Sequence, residues 1–171
     1  WFGADTLGRL IDFHMNDSGV HVTPASRGAS HTSTALARLD ENGAASYTFD
    51  LEWAPAAPIE VPETAQILEA GSISAIIEPG ASAVLDALAR GREHALVFFD
   101  PNARPSIMGE PAVALVSLER FIALADVVKV SDEDIEWLTG GAPIDKVVDR
   151  WLRMGPSLVV VTRGKHGSDV A

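Results

Sequence analysis

Three short polar runs stand out because each directly follows an apolar one. Asp100-Pro101-Asn102-Ala103-Arg104 follows Leu96 to Phe99. Ser131-Asp132-Glu133-Asp134 follows the run Asp126 to Val130. Thr162-Arg163-Gly164-Lys165-His166-Gly167 follows Leu158 to Val161. A guanidinium beside a strand end can clamp a phosphate or carboxylate through two parallel hydrogen bonds. A carboxylate at the third position of a helix can hold a metal-bound water. Glycines let backbone N–H groups approach a phosphate, and a threonine hydroxyl adds a donor. Ligands of open α/β sheets bind outside the carboxyl ends of the strands. Three such clusters on successive strand ends therefore predict one crevice that holds an anion and a metal.

Each run also has a plainer explanation. Asp-Pro-Asn forms turns unaided. Ser131-x-x-Asp134 fits a helix N-cap with an acid at the third helical position. Thr162 to Gly167 could be only a glycine turn into a hairpin. Trp137 and Trp151 sit at helical positions and read as core, not as a cofactor box.

The elements that must position these runs follow from periodicity. Residues 5 to 19 predict a helix, with Leu7, Leu10, Ile11 and Met15 on one face, Asp5 or Thr6 as cap, and Gly19 at the left-handed exit. Val20-His21-Val22 predicts a short strand. Residues 33 to 51 hold two β-prone runs joined by Glu41-Asn42-Gly43, a hairpin signal. Pro55, Pro58 and Pro62 predict an extended connection after them. From residue 65 the rhythm is strand and helix. Strands are expected at 65–71, 95–100, 126–130 and 157–161. Helices are expected at Ser82–Arg90, Glu110–Ala125, Ser131–Thr139 and Ile144–Met154. Strands apolar on both faces that alternate with helices predict an α/β fold with a parallel sheet covered on both sides.

Composition limits the partners. The 171 residues suit one domain of ordinary size, burying roughly two thirds of the unfolded surface. Apolar residues make up 47% and charged residues 22%, as in globular chains. The net charge of −11 argues against nucleic acid and acidic membranes, although a small phosphate ligand needs only a local positive site. No run is long enough to span a bilayer. No signal peptide is visible, and the chain starts at Trp1, so a true N-terminus is expected elsewhere. The absence of cysteine removes disulfides and thiolate chemistry and makes a cytoplasmic location the default. The five histidines are scattered without metal-ligand spacing.

At the three clusters the sequence resembles the ribokinase-like sugar kinases, also called the phosphofructokinase-B type. The family's Asp-x-Asn-x-Arg segment is matched by Asp100, Asn102 and Arg104. Its Asn-x-x-Glu place reads Ser131-Asp132-Glu133-Asp134 in "VKVSDEDIEWLTG", a form most similar to the fructokinase branch. Its Thr-x-Gly-x-x-Gly turn is matched by Thr162, Gly164 and Gly167. Upstream, Gly3, Asp5 and Gly8 match a Gly-x-Asp-x-x-Gly helix start, and "STALARLDENGAASYTFD" looks like the family's β-stranded lid.

The resemblance implies a three-layer fold, present in part, with a mostly parallel central sheet. A core of residues 1–32 and 64–171 would carry a lid segment of residues 33–63. It implies ATP and Mg²⁺ as cofactors and phosphoryl transfer to a hydroxyl of a neutral sugar, with fructose the first choice. A 2-keto-3-deoxygluconate or nucleoside kinase, and a non-catalytic nucleotide- or sugar-binding module, remain alternatives. Thr162, Gly164, Gly167 and Ser131 would face the nucleotide, and Asp134 the metal through water. Arg104, Asn102 and Asp100 would serve the sugar or the transferring phosphate. Kinship also implies a homodimer formed through the lid. The family's opening Gly-Gly motif and closing Gly-Ala-Gly-Asp motif, with its catalytic base, have no match here. The chain is therefore expected to be the middle of a longer protein, and no base is assigned. A glycine-rich dinucleotide motif after an early strand is also missing, which disfavours a dehydrogenase.

Overall fold

The structure is a computed structural model of the chain. It describes residues 1–39, 41, 45–55 and 58–171. Contacts divide the chain into two compact units, Trp1–Ile59 and Glu60–Ala171.

In the first unit, strand β1 (Phe2–Gly3) pairs in parallel with β2 (Arg27–Ala29), and helix α1 (Thr6–Asp17) lies between them in sequence. Asp5 caps α1, its Oδ1 accepting the Gly8 N–H at 2.8 Å. A Cβ on Gly8 would stand 1.9 Å from the Gly3 carbonyl oxygen, so only glycine lets the helix start this close to β1. The helix closes as a Schellman motif. The Val20 N–H bonds to Met15 O at 2.9 Å, the Gly19 N–H to Asn16 O at 3.0 Å, and Gly19 takes φ +73°. That closure uses Val20 as the last capping residue, and the strand expected at Val20–Val22 is not formed. The expected apolar face is only partly buried; Leu10 is 60% exposed.

Strands β3 (Thr34–Leu39) and β4 (Ala45–Asp50) pair antiparallel, from Thr34↔Asp50 to Leu39↔Ala45. This is the expected hairpin; its Asn42-Gly43 turn lies outside the described residues. Directly opposed residues share a face, so Ala35, Ala37, Leu39, Tyr47 and Phe49 form one apolar surface. Tyr47 and Phe49 stack at 5.9 Å, while Leu39 and Tyr47 remain 73% and 57% exposed.

The second unit is built on one sheet in the order β5-β6-β7-β8-β9. Strands β5 (Ile67–Gly71), β6 (Leu96–Asp100), β7 (Val127–Ser131) and β8 (Leu158–Thr162) run parallel, and β9 (Ser168–Val170) runs antiparallel to β8. Helices α2 (Gly80–Gly91), α3 (Pro105–Met108), α4 (Pro111–Ile122), α5 (Asp132–Thr139) and α6 (Ile144–Leu152) fill the connections. The mostly parallel α/β architecture expected from the strand–helix rhythm is thus present. The four-residue α3 is too short for its periodicity to be read in the sequence.

Burial alternates along the strands. Val97, Phe99, Val128, Val130, Val159 and Val161 are fully buried against Leu118, Phe121, Ile122, Ile135, Leu138 and Trp151. Phe99 stacks on Phe121 at 5.4 Å. The opposite positions, Phe98, Val127, Leu158 and Val160, are half-buried. Within these residues the sheet is therefore covered fully on one face and partly on the other, where full cover on both was expected. Trp151 is core as expected. Trp137 instead lines an open groove of about 640 Å³ with Leu115, Lys146 and Arg150.

Candidate active site

The register brings the polar runs together. Gly71 of β5 pairs with Asp100 of β6, and Ser131 of β7 pairs with Thr162 of β8. All four parallel strands thus end at one rim, and the three polar clusters occupy neighbouring positions along it.

The loop after β6 is braced on several sides. Asp100 accepts the Asn102 N–H on Oδ1 at 3.1 Å, forming an Asx turn, and the Lys129 ammonium on Oδ2 at 3.0 Å. Asn102 takes φ +37°, a left-handed conformation that asparagine tolerates better than most residues. The next N–H, of Ala103, donates to Asp134 Oδ1 at 3.0 Å. Arg104 is exposed, and its Nη1 donates to the Ala103 carbonyl at 2.8 Å. The guanidinium therefore folds over its own loop with most of its donors still available.

Ser131 and Asp134 form a capping box at the start of α5. Ser131 Oγ accepts the Asp134 N–H at 3.0 Å, and Asp134 Oδ2 accepts the Ser131 N–H at 3.3 Å. The Asp134 carboxylate accordingly holds two loops together, its own helix cap and the segment after β6. Both of its oxygens already accept backbone N–H groups. Among the described residues no group of three or more His, Asp or Glu side chains stands close enough to hold a metal ion.

The turn after β8 contains a 3₁₀ segment, Gly164–His166, and leads into the β8–β9 hairpin. The glycine hairpin weighed from the sequence is its local conformation. Arg163 N–H donates to Gly167 O at 2.8 Å, while its guanidinium pairs with Asp169 at 2.6 Å. Gly164 and Gly167 take φ +51° and +89°, with open space where a Cβ would stand. Glycine is needed here for backbone conformation and not for room. Among the described residues no partner meets the N–H groups of Gly164 and Lys165. Thr162 Oγ1 reaches Val130 O at 3.4 Å, a long bond that another acceptor can replace.

Two rim residues were not singled out from the sequence. Lys129 looked like an ordinary strand residue, and Ser72 like part of a connection. Ser72 follows β5 directly, takes φ +54°, and its Oγ donates to Asn102 O at 3.0 Å. Only the β5–β6 register reveals that proximity.

Among the described residues of the first unit, Asp5 is the most perturbed carboxylate. Its pKa falls to about 2, chiefly through the Gly8 N–H and then through the N–H and hydroxyl of Thr32. Thr32 donates its N–H to Oδ2 at 2.8 Å and its Oγ1–H to Oδ1 at 2.7 Å. Glu52 is also held below the usual range, first by the Ser30 hydroxyl.

In open α/β sheets ligands bind in the crevice outside the carboxyl ends of the strands, the edge at which these polar loops gather. The pattern that describes the pfkB family of carbohydrate kinases matches residues 1–171, and the chain belongs to that family. Fructokinase of Klebsiella pneumoniae is 33% identical over 179 residues, covering 99% of this chain and 58% of the relative. Fructokinase of Salmonella typhimurium is 32% identical over 182 residues, covering 96% and 56%. The crystal structure of fructokinase from Vibrio cholerae O395 in apo form superposes with a TM-score of 0.84 at 31% identity, covering 99% of this chain and 61% of that one. Its form with fructose, ADP and calcium ion bound gives 0.81 at 30% identity, covering 99% and 57%. The fold is therefore that of ribokinase-like kinases, in part. The chain spans a little over half the length of the relatives it matches.

Proposed function

We propose that this protein is an ATP-dependent carbohydrate kinase that transfers the γ-phosphoryl group to a hydroxyl of a neutral sugar, with fructose the first choice. The observation that carries it is the unbroken rim of braced polar loops after β5, β6, β7 and β8, in a chain matched along nearly its whole length by fructokinases. Arg104 supplies a clamp for the transferring phosphate or the sugar, and Asn102 and Asp100 shape the loop that presents it. Ser131, Thr162, Gly164 and Gly167 stand on the nucleotide side, where the unpaired Gly164 and Lys165 N–H groups suit phosphate oxygens. Magnesium, when bound, spreads the phosphate charge. Asp134 accepts one backbone N–H on each carboxylate oxygen, and a remaining lone pair would serve a metal-bound water. Arg38 is the sole Lys or Arg among residues 33–63, which favours a neutral sugar over an acidic one.

The apolar face of β3 and β4, with Leu39 and Tyr47 exposed, supports pairing of two copies through this sheet. The absence of cysteine supports a cytoplasmic location. ADP release measured over a panel of fructose, other neutral hexoses, 2-keto-3-deoxygluconate and nucleosides tests the activity. Fructose-dependent release is the expected result. No acceptor-dependent release, with ATP and fructose shown by calorimetry to bind, would leave a binding module and overturn the kinase.

A further inference from the structure

Two non-glycine residues have positive φ among the described residues, and they touch. Ser72 (φ +54°) and Asn102 (φ +37°) each follow the end of a parallel strand, and the Ser72 hydroxyl donates to the Asn102 carbonyl at 3.0 Å. The two strand ends are pressed together. A Cβ on Gly71 would lie 2.3 Å from the Asp100 carbonyl oxygen. Unfavourable backbone conformations persist where the surroundings over-determine them, and they concentrate at sites that must be held ready for a ligand. Here the surroundings are visible. Asp100 holds the Asn102 N–H, Ser72 holds its carbonyl, and Asp134 holds the N–H of Ala103. Every one of these bonds fixes backbone. The half-buried Asn102 carboxamide itself meets no hydrogen-bond partner among the described residues. An amide with an immobilised backbone and unused donors and acceptor is preorganised for a polyhydroxylated ligand.

We infer that Ser72 is a positioning residue: its hydroxyl locks the left-handed backbone at Asn102 and so aims the Asn102 carboxamide and the following Arg104 at a sugar hydroxyl. The role rests on the sugar-kinase reading. Ser72 acts through the Asn102 carbonyl and touches no substrate itself. Of the residues that hold the loop, it is the one contributed by β5's exit, so it also ties the loop to a strand outside the three clusters.

The test is a double-mutant cycle in the intact protein with Ser72→Ala, Asn102→Ala and the pair, read as KM for fructose and for ATP. Ser72→Ala is expected to raise the fructose KM about tenfold while the ATP KM stays within about twofold, the scale of losing one hydrogen bond that orients a binding group. In the Asn102→Ala background, which keeps the backbone carbonyl, the Ser72 substitution should raise the fructose KM by less than in wild type, the remainder acting through Arg104. Ser72→Gly, which accepts φ +54° without strain, should fold well and show the same KM split, which covers failure of the alanine variant to fold. A fructose KM within about twofold of wild type in both Ser72 variants overturns the inference, as does additivity in the cycle.

Hydrogen exchange of the amides of residues 102–104 separates this result from failure of the kinase reading. Should wild-type protein phosphorylate no sugar, that reading falls. Ser72→Gly must still accelerate exchange at Asn102 and Ala103 about tenfold, with β6 unchanged, for the brace to stand. Unaltered exchange removes it whatever the activity.

Discussion

Arg104 and Asp5 show how much one side chain can carry here. Arg104 is exposed at the rim with its guanidinium turned over the loop after β6. Arg104→Ala is expected to lower turnover at least tenfold, the scale of a charged hydrogen bond worth about 1.5–3 kcal/mol. Steady-state kinetics with fructose and ATP check it. Asp5 is a structural counterpart far from that loop in sequence. Its folded pKa of about 2 lies below the ordinary 3.8, so its ionised form stabilises the fold. That contribution is complete above the ordinary value and is lost as pH falls through about 2. Asp5→Asn should therefore lower the melting temperature most at neutral pH, and the gap should close on acidification towards pH 2. Thermal melts of both proteins across that range would reveal a constant gap if the charge were irrelevant. An asparagine can still cap α1, but its NH₂ end would confront one of the donors that Thr32 directs at Asp5.

At the scale of elements, the Ser131–Asp134 capping box serves two purposes. It starts α5, and through Asp134 it anchors the loop after β6. Ser131→Ala should cost about 1 kcal/mol, the usual loss for an N-cap, measured by urea unfolding. Asp134→Ala should cost more, because it leaves the Ala103 N–H as well as the cap without an acceptor. The sequence made α5 readable to within a residue because cap, third-position acid and glycine exit are all local signals. The parallel strands were readable for a similar reason: short apolar runs bounded by turn residues. What stayed hidden depends on contacts between distant residues. β1 and β2 have two and three residues, too few for any period. Val20 to Val22 carried strand composition, but the Schellman closure of α1 claimed its first N–H. The three clusters were legible as strand-end runs. The Asp134 bond to Ala103 N, the Lys129–Asp100 pair and the Ser72–Asn102 bond were not, since each joins residues about thirty positions apart.

For the whole molecule, the two-stranded sheet of β3 and β4 presents an aromatic and aliphatic face with Leu39 and Tyr47 largely exposed. The pairing proposed for this sheet predicts that a charge placed there separates the copies. Leu39→Arg combined with Tyr47→Arg is expected to shift the sedimentation coefficient from dimer to monomer. An unchanged coefficient would remove this sheet as the pairing surface. The net charge of −11 bears on encounter with substrate. On the proposed kinase reading, a polyanionic nucleotide approaches these 171 residues against their mean field, so its association rate should rise with ionic strength, the reverse of a steered encounter.

The paired left-handed residues at the ends of β5 and β6 also set a direction for change under selection. Replacing Ser72 by glycine removes a backbone penalty of order 1 kcal/mol. The same substitution discards the hydroxyl that fixes Asn102. The lost bond costs about as much as the relieved strain, so a screen for heat resistance alone would tolerate glycine at position 72, and a screen for growth on the sugar would favour serine. Stability leaves this position nearly free, and affinity for the sugar holds it to serine.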